Sequence, residues 1–238
     1  MTHFFNEILN KFIEIQQTLN SLISSKFREI GDENALIPIL TILGVAFLYG
    51  VIHALGPGHG KVLVASYFIQ HKQSYQKAFK MGYLIALIHT LSALTITFVL
   101  YYLLEVIFSQ TFQEVSFYMR KISALLIIAV AIYLFFEQHK EKSNTDSAEK
   151  SDWGIAFSAG VIPCPGVMTI VLFSLIMGQL SIGVASALLM SIGMGLTISL
   201  SAILATATRE HTPSRISAVF PYIGSFMILL LGLYLLFF

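Results

Sequence analysis

Three histidines and one cysteine are the residues of this chain whose chemistry points most directly to a function. His53 opens the segment HALGPGHGK and His59 is its seventh residue; His89 lies in LIALIHTLSAL, and Cys164 lies in VIPCPG. Neutral imidazole and thiolate are ligands for zinc, nickel, copper and iron. These side chains, set in strongly apolar segments, predict a transition-metal site.

The spacing of the first two histidines requires a break in the helix. At about 100° per residue, His53 and His59 would point about 240° apart on a continuous helix. The Gly-Pro-Gly between them removes that constraint and lets both rings turn toward one cavity. The alternative is structural, with each histidine bonding a backbone carbonyl that the break has freed. Cys164 also has two interpretations, a metal ligand or a small apolar residue.

Lys61 and three hydroxyl residues of the apolar segments are further candidates for the site. GPGHGKV lacks the glycine and the hydroxyl of a phosphate-binding loop, because Leu55 and Val62 occupy those positions. Lys61 is expected to counter a helix terminus or to extend toward the membrane surface. The hydroxyls either line a polar path or bond their own helix; they belong to Thr90, Ser92 and Thr197.

The composition is that of a polytopic membrane protein. The 238 residues are 56% hydrophobic and 11% charged, whereas soluble domains carry about 25% charged residues. The net charge of +1 gives no argument for a nucleic-acid partner, and a single cysteine excludes an intramolecular disulfide. No cleavable signal peptide is expected, because the first 30 residues lack a compact apolar core.

Six apolar segments are long enough to cross a bilayer, which takes about 20 residues. We predict them at 36–69, 78–108, 115–136, 153–178, 181–207 and 215–238. The first and fourth are predicted to be broken, at Gly56, Pro57, Gly58 and Gly60 and at Pro163, Pro165 and Gly166. Non-helical backbone at membrane depth is tolerated only beside protein or water, so both breaks should face inward.

The two halves of the chain resemble each other. GVAFLYGVI (44–52) matches GIAFSAGVI (154–162), and later LTIT matches LTIS and KISA matches RISA in the same order. Each half carries three spans, so the second half must enter from the opposite side of the membrane. The predicted fold class is therefore an all-α integral membrane protein with six transmembrane helices. They form a 3+3 inverted-topology repeat, which is common among secondary transporters and places the site near the midplane.

The remaining segments complete the predicted organisation. Phe5, Ile8, Phe12, Ile15, Leu19 and Leu22 form an apolar helical stripe, which predicts an extramembrane amphipathic helix. Eight Lys and Arg residues fall on one side of the membrane and five on the other, so both termini should face outward from an inner membrane. The predicted divisions are the helix 1–34, the repeats 35–136 and 153–238, and the cytoplasmic linker 137–152.

The sequence resembles the NicO superfamily of nickel/cobalt transporters, which includes the RcnA efflux proteins. The resemblance rests on HALGPGHGK, ALIHTLSAL and GVIPCPG and extends over residues 36–238. It implies transport of divalent transition-metal ions, nickel, cobalt or zinc, with His53, His59 and His89 as candidate ligands. The metal would be cargo, so neither a permanently bound cofactor nor an enzymatic activity is expected. RcnA-like proteins tend to carry a histidine-rich loop, but the equivalent loop here has only His139.

Two other functions are open at this point. The second break also resembles that of the CcdA/DsbD thiol electron carriers, although these need a pair of cysteines. A non-transporting assembly or sensor subunit is the third hypothesis. Beyond membrane lipid and the metal itself, the resemblance implies one candidate partner, a periplasmic metal-binding protein. The oligomeric state does not follow from the sequence.

Overall fold

The helices follow the apolar segments of the sequence. The computed structural model describes residues 2–31, 35–56, 74–103, 164–211 and 219–237, with short pieces of 64–68, 121–136 and 156–161, and contains no strand in these parts. A 3₁₀ turn (Glu29–Gly31) follows the first helix. The helices are α1 (Thr2–Arg28), α2 (Leu36–Leu55), α3 (Tyr75–Leu103), α4 (Pro165–Ile176), α5 (Leu180–His211) and α6 (Phe220–Phe237).

Within the described part of the chain, three helices are long and apolar enough to cross a membrane: Leu36–Leu55, Tyr75–Tyr102 and Leu180–Thr208. They match the first, second and fifth predicted segments, which confirms the all-helical membrane class. α4 is a shorter apolar helix within the fourth segment, and α6 lies within the sixth. The third segment is described only in pieces, and the 137–152 linker lies outside the described residues. The six-helix inverted repeat and the division into domains stay predictions.

α5 forms the centre of the described bundle, because it packs against α2, α3 and α4. Glycines permit the closest of these contacts. An ideal Cβ on Gly50 would overlap the Met190 carbonyl, and one on Gly193 would overlap the Phe47 carbonyl. Small residues let helix backbones approach in membranes, where van der Waals contact drives association. The α2–α5 contact therefore fixes the position of the C-terminal part of α2.

The outer faces of the spanning helices are apolar. Leucines on three of these helices are exposed: Leu40, Leu48, Leu91, Leu200 and Leu204. An exposed apolar surface of this extent is expected to meet lipid rather than water. Buried hydroxyl groups, such as those of Thr97 and Ser199, lie instead on the inward faces of these helices.

α1 packs against α2 and α4. Ile23 and Phe27 are fully or almost fully buried, and the Phe27 and Phe173 ring centroids are 6.1 Å apart. Two residues of the predicted stripe, Ile15 and Leu22, are instead 44% and 37% exposed. The face of α1 that contacts the other helices is thus rotated about the helix axis from the predicted apolar stripe. Apolar residues occupy more than one face of α1, and its packing against α2 and α4 determines which face is buried. Its extramembrane location stays a prediction.

Candidate metal centre

The last turn of α2 carries His53 to the end of the helix. α2 ends at Leu55, and Gly56 is extended, with φ −58° and ψ 163°. The residue before a proline is disfavoured in the helical region, and Pro57 follows Gly56 in the sequence. α2 therefore ends two residues after His53, at the start of the predicted break, and the break itself stays a prediction.

The start of α4 presents Cys164. This residue is extended, with φ −88° and ψ 120°, and Pro165 occupies the first turn of the helix. Proline is favoured there because its missing N–H would have no helical partner and its φ already suits a helix. Cys164 is 1% exposed. The thiol thus lies at a helix start, inside the protein.

His53, His89 and Cys164 come together between α2, α3 and the start of α4. The Sγ atom of Cys164 lies 3.5 Å from Nε2 and 4.0 Å from Nδ1 of His53. The ring centroids of His53 and His89 are 6.2 Å apart. One candidate ligand atom from each residue lies within 4.8 Å of the other two. The structure therefore brings together three of the four predicted ligands, which are separated by up to 111 positions in the sequence.

The spacing of these atoms suits a single small metal ion. A tetrahedral ion with bonds of about 2.0 Å to nitrogen and 2.3 Å to sulfur would hold S and N roughly 3.5 Å apart. The Cys164–His53 distance of 3.5 Å has that value. The widest spacing in the cluster, up to 4.8 Å, would have to shorten by about 1.3–1.5 Å, which side-chain rotations can supply. Mixed nitrogen and sulfur donors favour zinc, nickel, copper and iron over magnesium or calcium.

Tyr49 packs against His53, and Gly166 packs against Tyr49. The Tyr49 ring stacks on the His53 ring, with centroids 5.9 Å apart and planes 9° apart. Gly166 makes room for Tyr49, because an added Cβ would overlap its hydroxyl. The sequence analysis missed Tyr49. Its position four residues before His53, on the same helix face, is the signal that could have identified it.

Comparison with known proteins assigns the family. The NicO family model, described as a high-affinity nickel-transport protein, matches residues 39–151. The chain is 31% identical over 196 residues to a putative nickel/cobalt efflux system of Methanocaldococcus jannaschii, covering 79% of this chain and 89% of the relative. This chain belongs to the NicO family.

Other NicO relatives are more distant. The chain is 25% identical to a putative nickel/cobalt efflux system of Haemophilus influenzae, over 77% of this chain and 70% of the relative. It is 24% identical to the nickel/cobalt efflux system RcnA of Escherichia coli K12, over 80% of this chain and 89% of the relative. No solved structure matches the chain. The family is one of membrane transport proteins and not a class of enzymes.

The region matched by the NicO model contains His53 and His89 but not Cys164, which lies beyond residue 151. Membership thus confirms the resemblance drawn from the two histidine motifs. The assignment of individual ligands rests on the geometry alone.

A second residue missed by the sequence analysis is Gln16 of α1. Its Oε1 atom lies 3.3 Å from Nδ1 of His53. Gln16 lies on the same face of α1 as Leu19 and Ile23, which are three and seven positions farther along. A polar residue on an otherwise apolar face is the feature of the sequence that could have identified it. Nothing in the sequence shows that this face meets α2, which is why the contact was not predicted.

The three predicted polar-path hydroxyls differ in their hydrogen bonds. Ser92 donates a hydrogen bond of 2.6 Å to the Val161 carbonyl. Thr197 donates to the Gly193 carbonyl of its own helix at 3.2 Å and reaches the Val51 carbonyl of α2 at 3.5 Å. Thr90 is fully buried, and its hydroxyl has no hydrogen-bond partner among the described residues. A role for these hydroxyls in a permeation path stays a prediction.

Six residues predicted to belong to the site or its breaks lie outside the described residues: Pro57, Gly58, His59, Gly60, Lys61 and Pro163. Their predicted roles are unchanged by the geometry above. His59 is the fourth candidate ligand, six positions after His53.

Proposed function

We propose that this chain carries divalent nickel or cobalt ions across the inner membrane, and that His53, His89 and Cys164 bind the ion in transit. The observation that supports this most strongly is the convergence of their ligand atoms within 4.8 Å in a chain of the NicO family. His59 is proposed as a further ligand. Zinc is the alternative cargo, because the same nitrogen and sulfur donors suit it.

The construction of the cluster suits an ion that is bound and then released. Release of a bound ion requires that a coordination position can open. Here three ligands come from three separate elements, α2, α3 and the start of α4, so a small relative movement of these elements changes the coordination. His89 lies halfway along α3, which supports a site near the bilayer midplane if α3 crosses the membrane symmetrically.

The electron-carrier hypothesis has no comparable support. It needs two cysteines in one chain, and this chain has one. A periplasmic metal-binding partner stays part of the proposal for the outer side of the membrane, where such a protein would deliver or accept the ion.

Transport by purified protein in proteoliposomes tests the proposed function. We expect nickel and cobalt to cross the vesicle membrane, with zinc as the third ion and magnesium as the control. Magnesium prefers oxygen ligands and should not be transported by nitrogen and sulfur donors. Cys164→Ser should slow nickel and cobalt transport, because a hydroxyl is a poorer ligand than a thiolate for these ions. Equal rates for all four ions, or rates no higher than in protein-free vesicles, would contradict the proposal.

The proposed orientation places both termini outside and the 137–152 linker in the cytoplasm. Single cysteines in place of Ser25 and Ser147, in a Cys164→Ala background, should therefore react with a membrane-impermeant thiol reagent from opposite sides. Ser25 is exposed on α1, and Ser147 lies within the linker sequence. Labelling of both positions from the same side of intact cells would show that the number of spans between them is even, against the proposed three.

A further inference from the structure

The N-terminal helix brings a side chain to the proposed metal site. Gln16 is half-buried, and its amide oxygen lies 3.3 Å from Nδ1 of His53. Its amide nitrogen lies 3.6 Å from the point where a Cβ on Gly56 would stand. The Gln16 amide therefore packs against the end of α2, at the residue that binds the proposed ion and at the residue where the helix ends.

We propose that Gln16 is a positioning residue for metal binding, and this inference rests on the proposed function. A neutral imidazole has one nitrogen that donates and one that accepts, and an amide oxygen only accepts. In this proposal Nδ1 of His53 carries the hydrogen atom and donates a hydrogen bond to the Oε1 atom of Gln16. The lone pair is then on Nε2, which is also the nitrogen nearer to Cys164 Sγ, at 3.5 Å against 4.0 Å.

Two contacts together fix the His53 ring, and each supplies what the other lacks. The stack on Tyr49 holds the ring plane, with 9° between the two planes. A stacked imidazole can still turn over in that plane and exchange the positions of its nitrogen and carbon atoms. The hydrogen bond to Gln16 removes this freedom, because only Nδ1 can donate to the amide oxygen. Partners of this kind orient metal-binding histidines and raise their basicity.

The packing of α1 gives Gln16 a defined position. Ile23 and Phe27 anchor the helix in the core, and Arg28 lies over the Phe173 ring with its guanidinium carbon 5.7 Å from the centroid. Gln16 is eleven residues before Phe27, or about 16 Å along the helix. Because the family match begins at residue 39, α1 adds to the site a residue from outside the matched region.

A matched pair of substitutions on α1 tests this role. Gln16→Leu removes the acceptor at nearly constant volume, and Gln17→Leu makes the same change at an exposed neighbour. Gln16→Glu keeps an acceptor for Nδ1. Cobalt(II) binding to the full-length detergent-solubilised protein is measured by calorimetry, together with the visible absorption spectrum of the bound ion and the thermal unfolding midpoint.

We expect Gln16→Leu to weaken cobalt binding by about 10- to 100-fold, the usual cost of losing an outer-shell partner of a metal-binding histidine, and to alter the absorption spectrum. Gln17→Leu should match the wild type, and Gln16→Glu should bind at least as tightly as the wild type. Three results would each overturn the role of Gln16. The first is a wild-type cobalt affinity and spectrum in Gln16→Leu, and the second is an equal loss of affinity in Gln16→Leu and Gln17→Leu. The third is Gln16→Glu binding cobalt no more tightly than Gln16→Leu. If His53→Ala itself binds cobalt like the wild type, the proposed site fails as well, so the two failures are distinguishable.

Discussion

Replacing His53 or His89 by alanine is expected to abolish measurable binding and transport of nickel and cobalt. Each substitution removes one of the three donors that converge within 4.8 Å and leaves two. Loss of an outer-shell partner already costs about 10- to 100-fold in metal affinity, so loss of a direct ligand should cost more. The measurements are calorimetry on purified protein and ion flux into proteoliposomes.

Wild-type binding should also weaken as the pH falls from about 7.5 to about 5.5. A protonated imidazole has no lone pair for a metal, so protons and metal compete for the same nitrogen. His211→Ala is the matched control, because His211 ends α5 and is not one of the clustered residues. If His53→Ala and His89→Ala remain folded and bind like the wild type and like His211→Ala, the histidines are structural and the proposed mechanism is wrong.

The proximity of His53, His89 and Cys164 could be anticipated from the sequence for a reason specific to membranes, whereas their role as metal ligands stays a prediction. In a segment as apolar as LIALIHTLSAL, a histidine has few polar partners, so the two histidines and the cysteine at lipid depth are expected to lie close to one another. The close pairing of His53 with Cys164 agrees with this argument. The contacts of Tyr49 and Gln16 depend instead on how α4 and α1 pack, and short-range patterns in the sequence do not contain that information.

The helix ends were predictable where proline determines them. α2 ends just before the Gly56–Pro57 pair, and α4 begins at Pro165; these local rules act on one or two residues. The contact face of α1 was predicted less well, since a helix with apolar residues on several faces can bury any of those faces. The depth of α1 and the symmetry of the two halves depend on the surrounding bilayer and on the complete second repeat, so both stay predictions.

Gly50→Ala is expected to destabilise the protein and to weaken metal binding at the same time. The added methyl group would overlap the backbone carbonyl of Met190, and a backbone atom cannot move aside as a flexible side chain can. α2 and α5 must therefore separate, and overpacking of this kind costs about 1–3 kcal/mol. His53 lies three residues farther along α2, so the displacement also shifts one ligand relative to Cys164. The thermal unfolding midpoint and the cobalt affinity should both fall.

Gly44→Ala is the matched control for this prediction. Gly44 lies on the same helix, but a Cβ built there would meet no atom within 4 Å. In a helix, alanine is favoured over glycine by roughly 0.5–1 kcal/mol, so Gly44→Ala should be neutral or slightly stabilising and should leave cobalt affinity unchanged. Gly193→Ala, on the facing helix, should behave like Gly50→Ala, because its added methyl group would overlap the Phe47 carbonyl. Equal unfolding temperatures for Gly50→Ala, Gly193→Ala and Gly44→Ala would contradict this prediction. The close contact of α2 with α5 would then not determine the position of His53 in the proposed site.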